Sequence, residues 1–203
     1  MKPRLPYPRN QAWSLVEVLL VILVLAVLVA LLLRPVYLAN HQRALRIGCE
    51  NNLRQIGHAY GFWENYESTQ CVMLTLVTNN AGNAWIDFNA MSNVVKNPNA
   101  FHCPADTNTT GKISYFVNLD LNKRDPQMVI FGDDNFTVDN VPIKSGIFEI
   151  TSNTPLDFSD ARHHLTEGLF AFGDGGVHPV GGMLCLQWKF QECGLATNRL
   201  AIP

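Results

Sequence analysis

The chain has 203 residues, 47% of them hydrophobic and 16% charged, with a formal net charge of −2. Much of the apolar content lies in Trp13 to Leu33, and the rest is a soluble mix rich in Asn, Gly and Pro, which excludes a membrane bundle and leaves one domain of ordinary size. No basic patch interleaved with aromatics appears, so nucleic acid is not an expected partner.

Lys2, Arg4 and Arg9 precede Trp13 with no acid among them, and the remainder of the chain is net acidic. A basic leader before an apolar run predicts a cytoplasmic N-terminus and an exported C-terminal part. The run from Trp13 to Leu33, at about 1.5 Å per residue, spans roughly 30 Å, the thickness of a bilayer core. "LLLRPVYLAN" is a poor signal-peptide cleavage site, so the segment is expected to persist as an anchor. Glu17 sits near the start of this run, where a carboxylate in hydrocarbon costs about 2.5–3.5 kcal/mol and needs either a partner or the surface.

After Pro35, which is expected to kink the helix, Leu45, Cys49, Leu53, Ile56, Tyr60 and Trp63 recur at helical spacing, with Arg43, Arg46, Glu50 and Arg54 elsewhere on the circumference. This predicts one long helix that leaves a membrane and lies against a globular head. From residue 67 onward, short β-like runs are expected at 71–77, 84–88, 113–119, 128–132, 146–150, 168–173 and 183–188. Turn signals separate them, among them "KNPNA" and "NKRDPQ". The expected fold is α+β, a long N-terminal helix packed on a small, mainly antiparallel sheet, with boundaries at 1–12, 13–34, 35–66 and 67–203.

The five cysteines Cys49, Cys71, Cys103, Cys185 and Cys193 contain no C-x-x-C pair, which argues against a zinc ribbon or a thioredoxin-like site. Export permits disulfides; burial as small apolar residues is the other reading. His163, His164, Asp160 and Asp174 invite a hydrolase reading, but Ser159 has no strained nucleophile elbow, and no catalytic residue is assigned. A structural role, with His164 and Asp174 holding a loop and Gly175 permitting a tight turn, is the stronger expectation. Asp133, Asp134, Asp160 and Asp174 could supply hard oxygen ligands to calcium, although no EF-hand-like spacing is present. No other cofactor is expected.

The segment around Trp13 resembles the N-terminus of type IV pilins and type II secretion pseudopilins, with a basic leader, a processing site and a glutamate five residues into an apolar helix. The resemblance implies cleavage between Ala12 and Trp13 by a prepilin peptidase, methylation of the new N-terminus, and pairing of Glu17 with the Trp13 amine of a neighbouring subunit. A Glu that snorkels to the headgroups is the alternative. Ala12 stands where Gly is usual and Trp13 where Phe is usual. "CENNLRQIGHAYGFWENY", "FHCPAD", "SYFVN", "PQMVIFGDD" and His164 followed by Asp174-Gly175 are similar to a group of pseudopilin-like proteins of planctomycete and verrucomicrobial bacteria. That likeness implies a Cys49–Cys103 disulfide; Cys185 and Cys193 could close a C-terminal hairpin. It also implies a non-enzymatic filament subunit in the inner membrane with a periplasmic head. Its partners would be the peptidase, other subunits, an assembly platform and membrane lipid, and a C-terminal calcium occurs among secretion pseudopilins. An adhesive or binding module on an uncleaved anchor is the rival reading.

Overall fold

The computed structural model describes residues 13–67, 91, 94–106, 113–120, 126–151, 153–159, 167–181 and 197–203, with side chains from 63 to 67 left aside. Helix α1 runs from Leu15 to Glu67 as one continuous α-helix with Pro35 inside it. Its first turn opens on Ser14, whose carbonyl accepts the amides of Glu17 (3.0 Å) and Val18 (3.2 Å). Internal contacts divide the chain into two units, Met1–His41 and Gln42–Pro203.

In the first unit, the large apolar side chains between Leu15 and Leu33 are 44–79% exposed. Leu, Val, Ile and Ala occupy every side of this stretch, so no face is marked for burial against the chain itself. Away from its ends, and apart from the Leu31 carbonyl that Pro35 leaves without an amide, a continuous helix pairs its backbone groups internally, which is the condition for an element surrounded by hydrocarbon.

In the second unit the helix becomes one-sided. Cys49, Leu53, Ile56, Ala59 and Tyr60 are buried and Leu45 partly so, while Arg43, Asn51, Arg54 and Gln55 face out. The buried stripe lies on a six-stranded sheet formed by β1 (Tyr115–Asn118), β2 (Val129–Asp133), β5 (Gly146–Thr151), β7 (Glu167–Phe172), β8 (Val177–Gly181) and β9 (Thr197–Ile202), in the order β5-β9-β1-β2-β7-β8. Every neighbouring pair is antiparallel. A second sheet, β4-β3-β6, uses β3 (Phe136–Val138), β4 (Val141–Pro142) and β6 (Leu156–Phe158). The expected α+β architecture, a long helix on a mainly antiparallel sheet, is therefore present.

Strand alternation sorts the core into two layers. Tyr115, Val117, Leu169, Ala171 and Ala201 point to the helix; Phe116, Phe170, Phe172, Leu200 and Ile202 point the other way, where Phe136, Leu156 and Phe158 of the small sheet cover them. On β2 the strict alternation breaks, since Val129 faces the small sheet but Phe131 faces the helix; a register shift between them, opposite β7, supplies the extra step. Gly132 then lies beneath the Phe116 and Phe170 rings. A Cβ there would come 2.4 Å from Phe170 Cδ1 and 2.6 Å from Phe116 Cε1, so only a glycine lets this aromatic cluster close over the strand.

The strands expected at 113–119, 128–132, 146–150 and 168–173 correspond to β1, β2, β5 and β7. Those at 71–77, 84–88 and 183–188 lie outside the described residues. "KNPNA" is more than a turn: Pro98–Phe101 form a short 3-10 helix, with Asn97 accepting the Asn99 amide at 3.1 Å through its side chain. Strands β3, β4, β6, β8 and β9 went unread, being either two or three residues long or, in β8 and β9, interrupted by Pro179 and by Asn198-Arg199. The two-residue turn joining β3 to β4 places Asp139 and Asn140 at φ 51° and 64°, the left-handed pair that a tight hairpin requires.

Candidate functional site

Two features stand apart from ordinary core: the exposed apolar turns of α1 and the corner that fastens the helix to the sheet. In the first, Trp13 is 71% exposed just ahead of the helix, and Glu17 lies in the opening turn. Ser14, Leu15, Val16 and Glu17 have the S-x-x-E spacing of a capping box, a signal that places a carboxylate where the helix dipole is positive. Helix geometry alone thus gives a reason for an acid here, besides pairing. Trp13 precedes the cap and lies four residues before Glu17 in the sequence. Beyond Glu17 no charged side chain occurs before Arg34. The most apolar eighteen-residue window has a mean hydropathy of 3.3 with none of it buried within the protein, and among the described residues this is the one helix long and apolar enough to cross a membrane.

The second feature is built from motifs far apart in the sequence. Cys49 of α1 and Cys103, just after the 3-10 helix, form a disulfide with their Cα atoms 4.9 Å apart. One residue before Cys49, Gly48 faces the ring of Pro104, and a Cβ there would stand 3.0 Å from Pro104 Cγ. One turn later, Asn52 donates through Nδ2 to the His102 carbonyl at 2.7 Å. Arg46 reaches Glu167 at the start of β7 at 2.7 Å, in a half-exposed pair worth little by itself. The Cys103 segment is tied onward to the sheet: the Ser114 amide donates to the Phe101 carbonyl (3.0 Å) and the Ser114 hydroxyl to Asp106 Oδ2 (2.8 Å), directly before β1.

"CENNL", "FHCPAD", "SYFVN" and "FGDD" therefore meet at one corner of the head. Asp133 ends β2, fully buried, and its Oδ2 accepts the Leu169 amide at 2.7 Å. Asn118 is equally buried and donates to the Val129 carbonyl at 2.8 Å. Burial first, and then the Asp133 carboxylate, hold the Tyr115 phenol well above its ordinary pKa; the Asn52 side chain pulls the other way, and Asp106 and Asp134 add smaller upward pushes. The Asp133 and Asn118 bonds, at opposite ends of the β1–β2 pair, each tie a buried side chain to a backbone group.

Asp133 and Asp174 do not converge. Asp174 sits in the β7–β8 turn at the opposite end of β2, its amide donating to the Pro126 carbonyl and its Oδ1 accepting the Gly176 amide at 2.7 Å. Gly175, at φ +83°, supplies the left-handed step of that turn. Among the described residues no group of three or more His, Cys, Asp or Glu side chains is arranged to hold a metal ion. Ala12, Asp160, His163, His164, Cys185 and Cys193 lie outside the described residues.

The Cys49–Cys103 bond is the one that the family likeness implied, whereas Gly48 and Asn52 were legible only as part of a helix. Their common partner, residues 102–104, becomes visible once the chain has folded back by fifty residues. No family model, no curated protein and no solved structure matches this chain.

Proposed function

We propose that this chain is a non-enzymatic pilin-like subunit, held in the inner membrane by α1 and assembled through that helix into a filament of the type II secretion or type IV pilus kind. The carrying observation is a helix exposed on all sides over Leu15 to Leu33, with one carboxylate, Glu17, in its first turn. In lipid the apolar turns are satisfied. On assembly, contact with other copies replaces contact with acyl chains, and helix packing supplies the association energy. Cleavage by a prepilin peptidase after Ala12 gives Trp13 a cationic amine that offsets Glu17 of an adjoining subunit.

The disulfide supports an exported head, since such bonds persist in oxidising compartments. It carries more weight than flanking charge: Lys2, Arg4 and Arg9 precede the span, but Arg34, Arg43 and Arg46 follow it, so the positive-inside bias is nearly balanced. Inner membrane, cytoplasmic N-terminus and periplasmic head form one consistent topology on this basis.

Mass analysis of the N-terminus of protein recovered from membranes tests the scheme, with a mature start at Trp13 expected. Glu17→Gln should leave membrane localisation intact and abolish co-assembly measured by crosslinking between copies. An intact leader together with unchanged crosslinking in Glu17→Gln would instead support a binding module on a plain anchor.

A further inference from the structure

We propose that Cys49–Cys103 and the contacts beside it act as a peel stop, a fastening at the place where a pull on α1 from its N-terminal side would begin to strip the helix from the sheet. A helix dragged from one end gives way contact by contact, whereas one loaded evenly resists with all contacts together. The position of the strongest contact therefore matters as much as its strength. In the second unit, which begins at Gln42, the partly buried Leu45 and the half-exposed Arg46–Glu167 pair precede the disulfide, which comes ahead of the buried part of the stripe, Leu53, Ile56 and Tyr60. It is flanked within about one turn by the Gly48–Pro104 contact and the Asn52–His102 bond.

The route of the load can be followed. From Cys49 it crosses to Cys103, passes along the adjoining backbone, and enters β1 through the two Ser114 bonds to Phe101 and Asp106. β1 is an interior strand held by β9 on one side and β2 on the other. Tension is thus delivered to the middle of the sheet and bypasses the apolar contacts farther along the helix. The source of such tension, a helix gripped by other copies in a filament, rests on the function proposed above; the clamp itself does not.

Force spectroscopy on the full chain in detergent micelles tests this with two attachment geometries. In the first, handles at the N-terminus and at Gln127, ahead of the interior strand β2, load α1. In the second, handles at Gln127 and Pro203 load the sheet and leave α1 slack. Cys49→Ala/Cys103→Ala should lower the rupture force roughly twofold in the first geometry and leave the second unchanged, because forced unfolding follows the barrier along the loaded path. No change in the first geometry, or equal losses in both, would overturn the peel stop and leave a general stabiliser. Should the double variant fail to fold, native protein pulled with and without a phosphine reductant gives the same comparison. Loss of the Glu17 effect on co-assembly would remove the filament reading and leave this result standing.

Discussion

One helix meets two different environments, and the contrast between them organises the molecule. Over Leu15 to Leu33 the side chains are apolar on every side and none is buried by the chain. Over Leu45 to Tyr60 the large apolar residues keep to one face except Ile47, which is 57% exposed, and Cys49, Leu53 and Ile56 are fully buried against the sheet. The backbone is the same α-helix in both. What changes is where the apolar surface is satisfied: from outside the chain in the first stretch, and by β1, β2 and β7 in the second. Helix propensity does not distinguish the two; the angular distribution of side chains does.

The largest expected break in this comparison comes from removing the covalent link. Its loop spans 54 residues, for which the chain-entropy model gives about 4 kcal/mol. Cys49→Ala/Cys103→Ala should lower the stability of the head by that order in urea unfolding, while membrane partitioning of the apolar helix stays as it is. Equal melting curves for the two proteins would remove the disulfide from the account of stability.

Next come matched substitutions on the one helix. Leu53→Ala should cost about 3 kcal/mol of head stability, since it leaves a cavity under a fully buried side chain. Leu25→Ala, at a position 55% exposed, should leave the urea midpoint of the head unmoved. The converse is Leu23→Asp, which places a carboxylate in the middle of the apolar run at a transfer cost of about 3 kcal/mol. It should release protein from membranes in alkaline extraction without altering unfolding of the head. If both substitutions changed both measurements, the two halves of α1 would not be the separate environments described here.

The smallest effect is confined to high pH. Burial raises the pKa of Tyr115 in the folded head above the value near 10 it has when unfolded, so the two states hold the same proton below that pH and stability is flat. As pH climbs past the unfolded value, the unfolded chain loses its proton first. Stability should then fall by about 1.4 kcal/mol per pH unit until the folded pKa is reached. Tyr115→Phe should remove this share of the alkaline slope in urea titrations between pH 9 and 11, a window set by the ordinary phenol pKa of about 10; a slope identical to that of the parent would assign the effect elsewhere.

The long helix was legible because its two patterns repeat over many residues, and repetition averages out local exceptions. Strands β1, β2, β5 and β7 were legible from runs of Phe, Val, Ile and Leu. The small sheet was not, because Phe136–Val138 and Leu156–Phe158 are too short to show a period, and they exist as strands by covering the Phe116 and Phe170 rings. Of the site, Trp13 and Glu17 were conspicuous as exceptions in an apolar run. The S-x-x-E cap beside them was equally readable and went unread.

By itself, then, the sequence determined that a span-length apolar helix continues into a one-sided helix and an antiparallel head, since these follow from hydropathy period and turn chemistry along the chain. Tertiary structure decided which residues hold the two parts of the head together. Beside the Cys49–Cys103 bond that the family likeness implied, Gly48 and Asn52 find Pro104 and His102, and Gly132 finds two phenylalanine rings, through approaches of neighbouring surfaces. Such approaches depend on how strands are ordered in space, and linear spacing carries no trace of that order.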